Sequence, residues 1–135
     1  MHQLVGTWRL VSQHTHYPDG TTIATRGENP DGILIYDEFG NMAVQLMRTD
    51  AQLVHYTDLN SRDTAMSGYH AYYGTYEIDE KASVVRHHVV GAAFPDYRST
   101  TQVRHFKLED DILTLQARST VEDNFRVLVW QRVTR

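Results

Sequence analysis

Histidine and tyrosine are the residue types in this sequence that are best suited to chemistry, and there are eight of each in 135 residues. Both side chains combine an apolar body with a polar tip, so they can line a pocket and hydrogen-bond its contents. His87 lies in the run Val85–Val89 (VRHHV), where a desolvated imidazole could act as a general base. Arg104 lies in the alternating run Thr100–Leu108, where a buried guanidinium would need an oxygen partner and could anchor a ligand or stabilise an oxyanion.

Other kinds of reactive site find little support in the sequence. There is no cysteine, which excludes a thiol nucleophile, a disulfide framework and a thiolate metal site. His14 and His16 share a strand face, but the sequence shows no third ligand beside them. His87 and His88 are adjacent and therefore point to opposite faces. No Gly-x-Ser-x-Gly turn is present for a serine nucleophile. We therefore expect no metal site, and nothing in the sequence points to a cofactor.

Composition and charge limit the partners and the location. The net charge is -4 and no run of Lys or Arg occurs, so we expect neither nucleic acid nor an anionic membrane surface as a partner. No apolar stretch approaches the roughly 20 residues of a spanning helix, and the N-terminus lacks the pattern of a signal peptide. Together with the absence of cysteine, these features favour a soluble cytoplasmic protein. The length suits a single domain over residues 1–135.

The elements that must position these side chains are short β-type runs separated by turn residues such as Pro18-Asp19-Gly20. The predicted strands are Leu4–Gln13, Thr21–Thr25, Ile33–Asp37, Met42–Arg48, Tyr72–Ile78, Ser83–Gly91, Thr100–Leu108, Ile112–Arg118 and Phe125–Val133. The segment Ser61–Ala71 lacks alternation and carries Met66 and Tyr69 at helical spacing, which predicts one short helix. Eight or nine consecutive strands with one helix predict an all-β fold. It would be a single antiparallel up-and-down barrel with room for one small ligand.

The opening strand resembles that of lipocalins and fatty-acid-binding proteins, because Gly6-Thr7-Trp8 matches their Gly-x-Trp signature. In such barrels an arginine of the closing strand, here Arg132, typically packs across that tryptophan. The chain is similar to the bacterial and fungal lipocalin-like domain family through Gly32–Tyr36, Met42–Arg48, Ala71–Glu77, Val85–Val89 and Phe94-Pro95, in the family's order. The resemblance implies a small antiparallel barrel with a central cavity. Some related barrels in secondary metabolism act as isomerases or cyclases.

Strand alternation predicts which side chains face the barrel interior. In the opening strand, Trp8, Leu10, Ser12 and His14 share one face. For the strand Met42–Arg48 either face could be inward, and the resemblance favours the face with Gln45. The predicted ligand contacts are Tyr36, Gln45, Tyr72, Tyr76, His87, Gln102, Arg104 and Phe106. The helix would lie over one opening, either as a lid that contacts the ligand through Met66 and Tyr69 or as a plug that only covers the core.

The sequence leaves three functions open, and so leaves open whether the protein is an enzyme. The leading hypothesis is binding of a small, mainly apolar, oxygen-bearing molecule, with Arg104 anchoring an oxygen. The second is an isomerase or cyclase for a polyketide- or terpenoid-like intermediate, in which His87 moves a proton and Arg104 stabilises an oxyanion. The third is a structural or interaction domain with a filled core. A homodimer through an outward patch of Val90, Leu128 or Trp130 is also compatible with the sequence.

Overall fold

The alternation of apolar and polar residues is realised as antiparallel strands in a computed structural model, which describes residues 2–50, 68–118 and 123–134. The strands in this part of the chain are β1 (Gly6–His16), β2 (Thr22–Ala24), β3 (Asp31–Tyr36), β4 (Asn41–Met47), β5 (Tyr69–Asp79), β6 (Val84–Ala92), β7 (Thr101–Glu109), β8 (Ile112–Arg118) and β9 (Phe125–Arg132). A single 3-10 turn, Pro95–Tyr97, lies between β6 and β7. Each predicted strand therefore has a counterpart in the structure. No helix in the described ranges is long and apolar enough to cross a membrane.

The strands close into a barrel because the first strand pairs with the last. From β3 to β9 each strand pairs with the next, and β1 pairs with both β3 and β9. The short strand β2 pairs with the second half of β1, outside this circuit of eight strands. Closure leaves the eight barrel strands without a free edge. The predicted antiparallel up-and-down barrel is confirmed.

The two ends of the barrel differ in their connections. At one end, which we call the hairpin end, residues 37–40, 80–83 and 110–111 join consecutive strands. The opposite end is called the loop end. The strands β4, β6 and β8 end there, and β5, β7 and β9 begin there. Short hairpins leave little room for passage, so access to the interior is expected at the loop end.

The hairpin end is sealed by Trp8 and its neighbours. Trp8 and Leu4 are fully buried, and the Trp8 indole Nε1–H donates to the Leu4 carbonyl at 3.0 Å. The Arg132 guanidinium lies 4.2 Å from the centre of the Trp8 ring, and its Nη1 donates to the Val5 carbonyl at 3.0 Å. The expected packing of Arg132 across Trp8 is confirmed, and it serves the stability of the barrel.

Two inward-facing predictions fail because backbone geometry shifts the alternation. A register irregularity in β1 between Leu10 and Ser12 moves the following residues to the other face. Gln13 and Thr15 are therefore buried, and the expected positions of Ser12 and His14 on the inward face are wrong.

The predicted inward position of Gln45 also requires correction. In β4 the apolar residues Met42, Val44 and Leu46 are buried, which leaves Gln45 exposed on the outer face. Burying three large apolar side chains is more favourable than burying the opposite set, which contains an amide. The expectation that Gln45 faces the cavity is wrong.

The predicted helix and the predicted dimer patch also require correction. Tyr69–Ala71 belong to β5, and Tyr69 is exposed on the outer face, where it pairs with Met47 rather than covering the barrel. The rest of the predicted helix, including Met66, lies outside the described residues. Leu128 and Trp130 are buried inside the barrel and cannot form a surface patch, because the even-numbered residues of β9 pack against the core.

Candidate ligand-binding cavity

A cavity lies inside the barrel, between its middle and the loop end. Its volume is about 40 Å³, and about 490 Å³ of atom-free space is reached when its opening to solvent is included. Its apolar wall is formed by Leu34, Val44, Leu46, Leu115, Ala117, Leu128 and Trp130. Its polar side chains are Gln13, Arg26, His70, Tyr72, His87, Tyr97, Arg104 and Arg126. Apolar walls with a few convergent polar groups are typical of small-molecule sites.

His87 is held between two tyrosine hydroxyls in the barrel interior. Its Nε2 lies 2.6 Å from Tyr36 Oη and its Nδ1 lies 2.7 Å from Tyr72 Oη. Only 2% of His87 is exposed, and burial, with the nearby charge of Arg104, lowers the pKa of its imidazole to about 3. Burial raises the pKa of Tyr72 to about 12 and that of Tyr36 well above its usual value. All three groups are therefore neutral near pH 7.

Neutrality and hydrogen bonding together assign the protons in this unit. A neutral imidazole has one N–H donor and one acceptor nitrogen, so it accepts from one tyrosine and donates to the other. Tyr36 Oη makes no second hydrogen bond with the described residues, so its hydroxyl hydrogen is satisfied only by donation to Nε2. The Nδ1–H of His87 then donates to Tyr72 Oη. The Tyr72 hydroxyl hydrogen remains available to the contents of the cavity that Tyr72 lines.

Three arginines bring positive charge to the cavity. Arg104 in β7 and Arg126 in β9 both line it, and the positive charge of Arg104 opposes the rise in the Tyr72 pKa. Arg26 follows β2 and is 3% exposed, with its Nε donating to Gln13 Oε1 at 2.8 Å. Burial, and the charge of neighbouring arginines, lower the pKa of Arg26 to about 10, so it stays protonated at neutral pH. The described lining residues include no Asp or Glu.

Two lining side chains carry buried polar atoms without a hydrogen-bond partner among the described residues. They are Nδ1 of His70 and the indole Nε1–H of Trp130. The His70 ring packs against Tyr97, with ring centres 4.8 Å apart. Burial, reinforced by the arginine charges around the cavity, lowers the pKa of His70 to about 4, so its imidazole is neutral near pH 7. Unpartnered buried polar atoms are few in native proteins, and here both lie on one cavity.

The structure brings together only part of the predicted site. Tyr72, His87 and Arg104 line the cavity, while Tyr36 lies behind His87 as its second hydrogen-bond partner. Tyr76 faces inward nearer the hairpin end, where its hydroxyl donates to the Asp37 carbonyl.

Gln102 and Phe106 are half-buried on the inward-facing side of β7, but they do not line the cavity. The Gln102 amide instead donates to Thr100 Oγ1 at 2.9 Å. Phe106 packs edge-on near His2, with ring centres 6.4 Å apart.

Sequence reasoning missed five polar lining residues: Gln13, Arg26, His70, Tyr97 and Arg126. Arg126 shares the alternation of Leu128 and Trp130, so it was missed because that face of β9 was expected to point outward. His70 would have followed from starting β5 at Tyr69. Gln13, Arg26 and Tyr97 carry no such signal, because a bulge or an irregular connection precedes each of them.

No group of three or more His, Asp or Glu side chains within the described ranges is arranged to hold a metal ion.

Comparison with known proteins identifies the family. A model of the lipocalin-like domain matches residues 5–133. The chain belongs to the lipocalin-like domain family. No curated protein matches it. Among solved structures, a de novo designed fluorescence-activating β-barrel has 10% sequence identity and a TM-score of 0.48, over 96% of this chain and 93% of the designed one.

Proposed function

We propose that this lipocalin-like barrel binds a small, mainly apolar, oxygen-bearing molecule in its cavity. The observation that carries the proposal is a cavity in which hydrogen-bond donors and an aliphatic wall lie side by side. Arg104, Tyr72 and Trp130 carry donors and line this cavity, together with leucine, valine and alanine side chains. Such a wall favours an apolar ligand body, whereas the donors require an acceptor, which in a small organic molecule is most often oxygen.

The cavity size indicates how such a molecule would lie. A cavity of roughly 10–15 Å³ suffices for one water, so about 40 Å³ holds a group of only a few atoms. The oxygen-bearing group would occupy this space beside Tyr72 and Arg104. The apolar remainder would extend towards the loop end, which the short hairpins do not close.

The state of His87 favours binding over proton transfer. Both ring nitrogens are hydrogen-bonded to tyrosines, and burial keeps the pKa of the ring near 3. A general base should titrate near the working pH and reach the proton that it removes. We therefore propose that His87 is a positioning residue that orients Tyr72, which makes an isomerase or cyclase with His87 as its base the weaker hypothesis.

A matched pair of variants tests the proposal. Ala117 lines the cavity and Ala43 is exposed on the outer face of β4, so Ala117→Leu fills the cavity and Ala43→Leu does not. The wild-type protein is titrated by calorimetry with 1-naphthol, acetophenone, octanol, octanoate and 2-naphthoate. We expect saturable binding of at least one compound, lost in Ala117→Leu and retained in Ala43→Leu. The proposal fails if none of the five binds, or if a folded Ala117→Leu variant binds as the wild type does.

A further inference from the structure

We infer that the cavity selects an anion, and that the group entering it is a carboxylate. This inference rests on the proposed function and narrows its ligand class. It depends on the charges around the cavity, on the hydrogen-bond donors that its lining side chains carry, and on its size.

The charges are the first observation. Arg104 and Arg126 line the cavity, and neither forms an ion pair with a described residue. Together with Arg26, they make the cavity electrostatically positive, which opposes protonation of His70. A carboxylate beside Arg104 and Arg126 would be attracted by this positive potential, whereas a neutral ligand would not.

The donors are the second observation. The Trp130 indole can only donate a hydrogen bond, and its buried Nε1–H has no acceptor among the described residues. The Tyr72 hydroxyl hydrogen is also free to donate, because His87 Nδ1–H already donates to its oxygen. Guanidinium groups are donors only. The donors on the polar side of the cavity therefore need a ligand group with several acceptor positions. An ionised carboxylate offers about four acceptor positions on two oxygens.

Size distinguishes among anions. A carboxylate adds three coplanar heavy atoms to its apolar body, whereas a phosphate or sulfate brings five in a tetrahedron. A space of about 40 Å³ suits the smaller, flat group. The aliphatic wall beside the arginines, including Leu46, Leu115 and Leu128, then contacts the apolar body of the acid.

The test compares carboxylates with the carboxamides of the same shape. Benzoate and benzamide, 1-naphthoate and 1-naphthamide, and octanoate and octanamide are titrated into the full chain by calorimetry. In parallel, ¹H–¹⁵N spectra follow the two indole N–H signals. We expect each carboxylate that binds to do so at least about 10-fold more tightly than its amide. The Trp130 signal should shift, while the Trp8 signal stays in place, because Trp8 already donates to Leu4 and lies at the sealed end.

Arginine variants separate charge from packing. Arg104→Met and Arg126→Met should each weaken binding of the carboxylate more than binding of its amide, and should thereby remove most of the preference for the carboxylate. Arg86→Met, on the outer face of β6, is the matched control and should keep the preference. The wild-type comparison needs no variant, so a variant that fails to fold does not weaken the test.

The outcomes distinguish this inference from the proposed function. If an amide binds as tightly as its carboxylate, or more tightly, the anion inference is wrong while binding of an oxygen-bearing molecule stands. If no carboxylate binds but 1-naphthol or acetophenone does, the anion inference is likewise wrong and the proposed function stands. A carboxylate preference that survives in both folded arginine variants would also overturn it. Failure of every compound in both panels would overturn the inference and the proposed function together.

Discussion

Acidification should unfold this protein through two buried histidines. The pKa of His87 is lowered to about 3 and that of His70 to about 4, whereas an imidazole in the unfolded chain titrates near 6.5. The folded state therefore favours the neutral rings, and the unfolded state binds more protons below pH 6.5. Stability is fully present above that pH and falls as the pH drops towards 4 and 3.

The two pKa values set the size of the effect. At pH 5 a histidine in the unfolded chain is about 1.5 pH units below its pKa and is protonated, whereas in the folded chain it is still neutral. Each histidine therefore lowers the unfolding free energy by about 2 kcal/mol. At pH 4 the cost is about 3 kcal/mol for each. A loss of about 4 kcal/mol at pH 5 is a large part of the 5–15 kcal/mol that typically stabilises a domain.

Urea unfolding followed by far-ultraviolet circular dichroism at pH 7.5, 6, 5 and 4.5 measures this loss. His87→Gln keeps a donor and an acceptor between Tyr36 and Tyr72 but does not titrate. It should lower stability at pH 7.5 and halve the further loss between pH 7.5 and pH 5. His105→Gln, at an exposed position on the outer face of β7, should leave that loss nearly unchanged. An equal loss in wild type and His87→Gln would refute the assignment of His87 as a buried neutral imidazole.

Two further substitutions test how the barrel is held together. Arg132→Met removes the cation stacked on Trp8 and its hydrogen bonds to N-terminal carbonyls, so unfolding free energy should fall by about 2–4 kcal/mol without a change in ligand affinity. Retained stability in urea would show that the stack is dispensable. Gly74→Ala would place a Cβ 1.9 Å from the His88 carbonyl oxygen, and we expect a loss of more than about 3 kcal/mol in thermal unfolding. Gly20→Ala, with positive φ but no neighbour within 4 Å, should cost only about 1 kcal/mol and serves as its control.

Much of the fold could be predicted from the sequence because apolar and polar residues alternate along a strand that has one buried face. The Val85–Val89 segment shows this well, since Val85, His87 and Val89 are buried as alternation predicts. Alternation fails where the backbone breaks the period of two. The irregularity after Leu10 reverses the face of every later residue in β1, and no residue type in this strand predicts it.

The candidate site was predictable only where it lies on regular strands. Arg104 and Tyr72 follow from alternation, whereas Arg126 was missed because its face of β9 was expected to point outward. Arg26 lies outside any regular strand and Gln13 follows the bulge, yet they meet through a 2.8 Å hydrogen bond. Contacts between such positions depend on how distant segments fold over the barrel, which local pattern does not encode.

The sequence by itself determined the class of the protein. Its strand periods, its hairpin turns and its Gly6-Thr7-Trp8 opening specified a closed antiparallel barrel of the lipocalin-like family, because these features act locally along the chain. Tertiary structure alone decided the chemistry inside. Burial keeps His87 neutral, two tyrosines from separate strands hydrogen-bond its ring, and arginines distant in sequence share one cavity. Burial and charge proximity set these properties, and both depend on which segments meet in space.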